Sequence, residues 1–181
     1  MLEILCPDLY VDSVPDIDLD KLRERGIRGI IFDIDNTIAE WGSNSVDPRT
    51  EQWITRAKDA GFKMCILSNN LVKRIRLISE ALDIPYAPAG IKPRKAAFLR
   101  AMRLLGTRGG ETAVIGDQLF TDILGGNLSG LFTILVKPLC RREFITTRFM
   151  RVLERLVMRH LKCAFSRCSL KLTRRNSDAT L

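Results

Sequence analysis

The sequence predicts an α/β fold, a mostly parallel sheet with helices on both faces, and three observations carry that expectation. Four short apolar runs, around 27–33, 63–67, 113–116 and 132–136, have the length and side-chain type of buried strands. Helical periodicity alternates with them, around 50–60, 71–82, 94–105 and 121–129. Residues suited to chemistry follow directly on three of the runs, where open α/β sheets place their active sites.

Taken along the chain, the run Ile27–Phe32, flanked by Gly26 and interrupted by Gly29, leads into Asp33-Ile34-Asp35-Asn36-Thr37. Residues at i and i+2 of a straight strand share a face, so two carboxylates emerge together and repel unless a cation or a shared proton relieves them. The pair points to a magnesium site, an acid/base couple, or both. Its plain alternative is a strand end passing into a turn. In the next helical pattern Trp53 reads as core, and Trp41 before it could flank a cleft. The run Met64–Leu67 leads to Ser68-Asn69-Asn70, which either binds an anion or N-caps the pattern from Leu71 to Leu82. Lys92, within Gly90-Ile91-Lys92-Pro93, would alone be a solvated surface lysine. The run Ala113-Val114-Ile115 delivers Gly116-Asp117-Gln118-Leu119-Phe120-Thr121-Asp122, where Asp122 alone would simply favour a first helical turn. In combination, four sites in one order at these spacings outweigh the separate plain readings.

This ordered set resembles the haloacid dehalogenase (HAD) superfamily of phosphatases, over roughly residues 1–140. Cys6-Pro7-Asp8-Leu9-Tyr10-Val11, the Gly-Asp-Gln-Leu-x-Thr-Asp form of the last motif and Gly125-Gly126-Asn127 are similar to its YqeG-like branch. That branch includes relatives of the mitochondrial-type phosphatidylglycerophosphate phosphatases. The resemblance implies a Rossmann-like HAD fold and a magnesium-dependent phosphomonoester hydrolase acting through an aspartyl phosphate. It makes Asp33 the nucleophile and Asp35 the general acid, later the base that activates water. Mg2+ would take Asp33, the backbone carbonyl of Asp35 and Asp117, with Asp122 in the outer shell. Ser68, Asn69 and Lys92 would bind phosphoryl oxygens, Lys92 also countering the charge of Asp33. The gap between Asp117 and Asp122 is longer than in the acidic pairs of other branches, which leaves direct metal contact by Asp122 open.

Spacing and charge bear on the substrate. Neither Asp35 to Ser68 nor Ser68 to Lys92 has room for an inserted cap domain, so the site should be open. An uncovered cleft admits a phosphate carried on a lipid headgroup, a protein or a nucleic-acid end, or a small substrate covered by a neighbouring subunit. Residues 1–136 carry 17 Lys+Arg against 18 Asp+Glu, and residues 137–181 carry 12 against 3, so the whole net charge of +8 comes from the tail. Within Thr147–Ala164, Arg148, Arg151, Arg155, Arg159 and Lys162 alternate with Phe149, Val152, Leu153, Leu156 and Leu161, the pattern of a cationic amphipathic helix. Such a helix packs on its own domain, lies on an anionic membrane surface or binds nucleic acid; the last lacks a reading motif here.

The chain thus divides into a capless phosphatase domain, 1–140, and a basic extension, 141–181. Its 181 residues and 46% apolar content support one sizeable core. The leading expectation is dephosphorylation of phosphatidylglycerophosphate to phosphatidylglycerol at a membrane surface. A soluble phosphatase of a sugar phosphate or nucleotide is the enzymatic alternative, and a basic nucleic-acid-associated protein with a vestigial site the other. No stable protein partner can be inferred. The absence of an apolar span and of a leader leads to an expected cytoplasmic location, peripheral on the inner face of the membrane. Five irregularly spaced cysteines suit reduced thiols, and His160 with Cys163 and Cys168 makes no convincing zinc site.

Overall fold

A computed structural model describes residues 2–87 and 91–140 of the chain. Five strands, β1 (Leu9–Val11), β2 (Gly29–Phe32), β3 (Lys63–Ile66), β4 (Thr112–Gly116) and β5 (Phe132–Val136), form one sheet in the order β1-β5-β4-β2-β3. All neighbouring strands are parallel. The helices are α1 (Leu19–Glu24), α2 (Pro48–Asp59), α3 (Val72–Leu82), α4 (Lys95–Leu105) and α5 (Leu124–Leu128).

The period of two along each strand divides the interior into two cores. Ile30 and Phe32 of β2, Met64 and Ile66 of β3, and Ala113 and Ile115 of β4 pack on one face with Leu22 of α1, Trp53 and Ile54 of α2, and Ile75 and Ile78 of α3. Ile31, Cys65 and Val114 face the other way, against Ala97, Phe98, Ala101, Met102 and Leu105 of α4. Strands buried on both faces are why these runs read as continuously apolar. Trp53 is core as expected: its ring stands edge-on to Phe32 at 6.1 Å between centroids, and Nε1 donates to the Ile17 carbonyl at 2.8 Å. Burying side chains of this size is worth about 1.5–3 kcal/mol each.

The four expected strands are present, with a fifth that the pattern did not show. β1 is three residues at the sheet edge, too short and too exposed for a periodic signal, and Asp8 anchors its start by accepting from Thr133 N at 2.8 Å and Thr133 Oγ1 at 3.0 Å. α1 was likewise unexpected and is set by its cap, Asp18, whose carboxylate accepts from the N–H groups of Asp20 and Lys21. The helix expected at 121–129 is a π-helical turn, Leu119–Ile123, followed by α5. Leu71 occupies the N-cap position of α3, which has no side-chain cap, so Ser68 does not serve as one.

No inserted domain interrupts the described residues, and no described helix is long and apolar enough to cross a membrane. None of the described cysteines, Cys6, Cys65 and Cys140, is in a disulfide; burial pushes the Cys65 thiol up to about 12. The expectations for residues 141–181, including the Thr147–Ala164 helix and the set of His160, Cys163 and Cys168, lie outside the described residues.

The strand order positions the site. The chain runs from β2 to β3 on one side and then to β4 on the other, so the crevice at the carboxyl ends of β2 and β4 is a topological switch point. Phe32 pairs with Ile115, which brings Asp33 level with Gly116 and one residue short of Asp117.

Candidate active site

Asp33 is the first residue beyond β2, and its N–H still donates to the Ile115 carbonyl at 3.0 Å. The chain then turns sharply: Ile34's carbonyl accepts from the N–H groups of Thr37, Ile38 and Ala39. Asn36 takes the left-handed conformation, φ 60°, that asparagine tolerates better than most residues. Lys92 comes from the loop before α4. It is buried, and its Nζ donates to Asp33 Oδ1 at 2.6 Å and to Asp122 Oδ1 at 2.7 Å. The surface reading of Lys92 is therefore overturned. Burial alone would lower the pKa of Lys92, but Asp122 and Asp33 more than offset it, so its ammonium is held well above the usual lysine range.

Asp33, Asp117 and Asp122 are all buried, and one oxygen of each lies within 4.8 Å of the others. Burial drives the Asp122 carboxyl up to about 6, against the pull of Lys92. Three buried carboxylates facing one lysine leave an excess of negative charge that a divalent cation would balance. A set made only of carboxylate oxygens fits a hard ion such as Mg2+. The π-helical turn carries Asp122 into this group; its Oδ2 also accepts from Gln118 N at 3.2 Å.

Gly116 makes room for that arrangement, because a Cβ built there would lie 2.2 Å from Asp122 Cγ. Gly116→Ala is expected to dislodge Asp122 from Lys92, costing about 1–3 kcal/mol in stability and most of the turnover. Urea unfolding and a phosphatase assay on the same preparation check this, and unchanged activity would contradict it.

The loop after β3 joins the same site. Asn69 Oδ1 accepts from Lys92 N at 2.8 Å and its Nδ2 donates to Lys92 O at 3.2 Å, fixing the lysine loop. Ser68 is half-buried on the same loop. Asp35 meets a cation supplied by the chain itself, which relieves the repulsion expected between the two carboxylates. Its carboxylate is ion-paired with Arg74 of α3 and accepts from Asn70 Nδ2. Arg74 also donates to the carbonyls of Glu40 and Ser43, holding the turn that follows Asp35.

The chain is similar to known proteins along most of its length. A family model for HAD-hydrolase-like proteins matches residues 91–138, and one for mitochondrial PGP phosphatase matches residues 2–79. The probable phosphatase YqeG of Bacillus subtilis is 43% identical over 156 residues, which cover 86% of this chain and 91% of the relative. The chain belongs to the YqeG-like branch of the HAD phosphatases. Phosphatidylglycerophosphate phosphatase 1 of Arabidopsis thaliana, a chloroplastic/mitochondrial protein, is 26% identical over 88% of this chain and 49% of its own length. Among solved structures, an uncharacterized protein from Listeria monocytogenes superposes with TM-score 0.51 at 18% identity, covering 66% of this chain and 86% of that one, a likeness of fold alone.

The structure thus gathers the expected Asp33, Lys92, Asp117 and Asp122 of this HAD phosphatase into one cluster, with Asp35 on the adjoining turn and Ser68 and Asn69 on the adjoining loop. Residues the motifs did not single out complete the surroundings. Arg74 and Asn70 hold Asp35, and Thr37 Oγ1 lies 3.4 Å from Asp117 Oδ1. Arg74 sits in a basic stretch with Lys73 and Arg76, and nothing in the sequence marks which of the three turns inward.

Proposed function

We propose that the protein is a magnesium-dependent phosphomonoesterase that forms a phosphoaspartate on Asp33 and acts on phosphatidylglycerophosphate at a membrane surface. The observation that carries the chemistry is the buried Lys92 bridge between Asp33 and Asp122, beside Asp117. Lys92 engages Oδ1 of Asp33 and leaves Oδ2 to attack phosphorus. As that P–O bond forms, the bond to the alkyl oxygen breaks and Asp35 protonates the departing alkoxide. Asp35 then takes a proton from water as the water attacks the phosphoaspartate, releasing phosphate and restoring Asp33.

Asp33, Asp117 and the backbone carbonyl of Asp35 would hold Mg2+, with Asp122 in the outer shell, and the ion would supply positive charge to the phosphoryl oxygens. Lys92 and the Ser68 hydroxyl bind the same oxygens, and Asn69 keeps Lys92 in place. Arg74 and Asn70 position Asp35 without touching the substrate.

The lipid substrate is supported by the match to the PGP phosphatase model, by the plant relative and by a cleft that no inserted domain covers among the described residues. The basic composition of residues 141–181 supports a peripheral location on the cytoplasmic side of a membrane, with that segment acting as an extension of the catalytic domain. Phosphate release from phosphatidylglycerophosphate in mixed micelles should exceed release from a panel of sugar phosphates and nucleotides. A chelator should stop it and Mg2+ restore it. Faster turnover of soluble phosphates would overturn the lipid reading; full turnover in excess chelator after demonstrated metal removal would overturn the metal.

A further inference from the structure

Four of the large exposed apolar side chains lie on the segments that surround the site. Leu71 is 78% exposed, Ile91 62%, Val72 53% and Trp41 42%. Their placement follows from bonds already described. Asn69 ties the loop carrying Leu71 and Val72 to Lys92, whose neighbour is Ile91. Arg74 ties the start of α3 to the carbonyls of Glu40 and Ser43, on either side of Trp41. Single exposed apolar residues are ordinary, but four around one polar opening are a patch that water disfavours.

Charge complements the apolar ring. Lys73 and Arg76 on α3, and Arg94 and Lys95 at the start of α4, are exposed. Neither helix has an acidic residue in its first turn. The same chain uses acids where α1 and α2 begin, with Asp18 and Asp47 as caps and Asp20 and Glu51 following. Helix N-termini ordinarily favour acidic side chains, so basic and apolar residues at these two sharpen a positive potential around the opening.

We propose that this rim, Trp41, Leu71, Val72 and Ile91 with Lys73, Arg76, Arg94 and Lys95, is a docking face that seats the catalytic opening on an anionic lipid bilayer. The apolar members enter the headgroup boundary while the basic ones meet lipid phosphates, each worth about fivefold in binding near such a surface. A phosphate carried on a headgroup then reaches Asp33 without leaving the membrane. The inference rests on the lipid reading above, yet it concerns where the bilayer touches and can be tested separately.

The full chain contains two tryptophans, and Trp53 is fully buried, so Trp41 reports on the rim. With phosphatidylglycerol vesicles containing a brominated lipid, tryptophan fluorescence should be quenched, and Trp41→Phe should remove that quenching. The double variant Leu71→Ser, Ile91→Ser should bind these vesicles at least about tenfold more weakly and lose a similar factor in turnover of vesicle-borne phosphatidylglycerophosphate. Hydrolysis of p-nitrophenyl phosphate should not change, because neither residue touches the reacting groups. Vesicle binding by the wild type with Trp41 unquenched, or no vesicle binding at all, overturns the docking face. Quenching of Trp41 without any lipid phosphate turnover would retain the face and overturn the lipid substrate.

Discussion

Asp33→Asn should abolish turnover, by at least about a thousandfold, while the protein stays folded. The carboxamide has nearly the size of the carboxylate but no anionic oxygen to attack phosphorus. Folding should survive because the substitution removes one of three buried negative charges that a single lysine opposes, and Lys92 keeps its bond to Asp122. Far-UV circular dichroism and the urea midpoint report the fold, and single-turnover assays with a fluorogenic phosphate report the chemistry. Retention of a tenth of the activity, in protein shown to be free of contaminating phosphatase, would remove Asp33 from the nucleophile's place.

The carboxylates of this site were legible because each follows a strand of strong apolar character. Phe32, Leu67 and Gly116 close those runs, and parallel strands deliver whatever comes next to the same edge of the sheet. Lys92 was legible only in company, since no strand precedes it and a lone lysine carries no positional signal. Arg74 was not legible. Its partner, Asp35, is 39 residues away, and what distinguishes it from Lys73 and Arg76 is the rotation of α3, which sends Ile75 and Ile78 into the core and turns Arg74 toward the mouth. Gly116 belongs to a motif legible in the sequence, but its reason is a distance to Asp122 created by the π-helical turn. A helical period counted from Thr121 misses that wider turn. β1 escaped for another reason: its three residues are held by the hydrogen bonds of Asp8 to Thr133, a pairing across 125 residues. Local pattern thus showed the central strands and the acids they present, while the groups that hold those acids in place depend on tertiary contacts.

Lys92→Met should cost about 3–5 kcal/mol of stability along with the activity, because it strips the partner from buried carboxylates while filling the space of the lysine stem. For a chain of this size that is roughly 6–20 °C in Tm. The loss should depend on pH, and its sign follows from Asp122. Burial already raises the carboxyl of Asp122 from 3.8 to about 6 with the lysine in place. Without that positive charge its folded pKa must rise further. A carboxyl that binds its proton more tightly in the folded state than in the unfolded one loses stability as pH rises from the unfolded value to the folded one. Below about pH 4 the protonated acid needs no partner, and up to about pH 6 wild type and variant lose stability alike; above that value the deficit of the variant grows until its own, higher folded pKa is passed. Urea unfolding of wild type and Lys92→Met, both in chelator, should therefore give a small gap at pH 5 and a larger one at pH 8. An equal gap at both values would mean that the cost is one of packing, and the charge bridge from Lys92 to Asp33 and Asp122 would lose its place as the centre of the site.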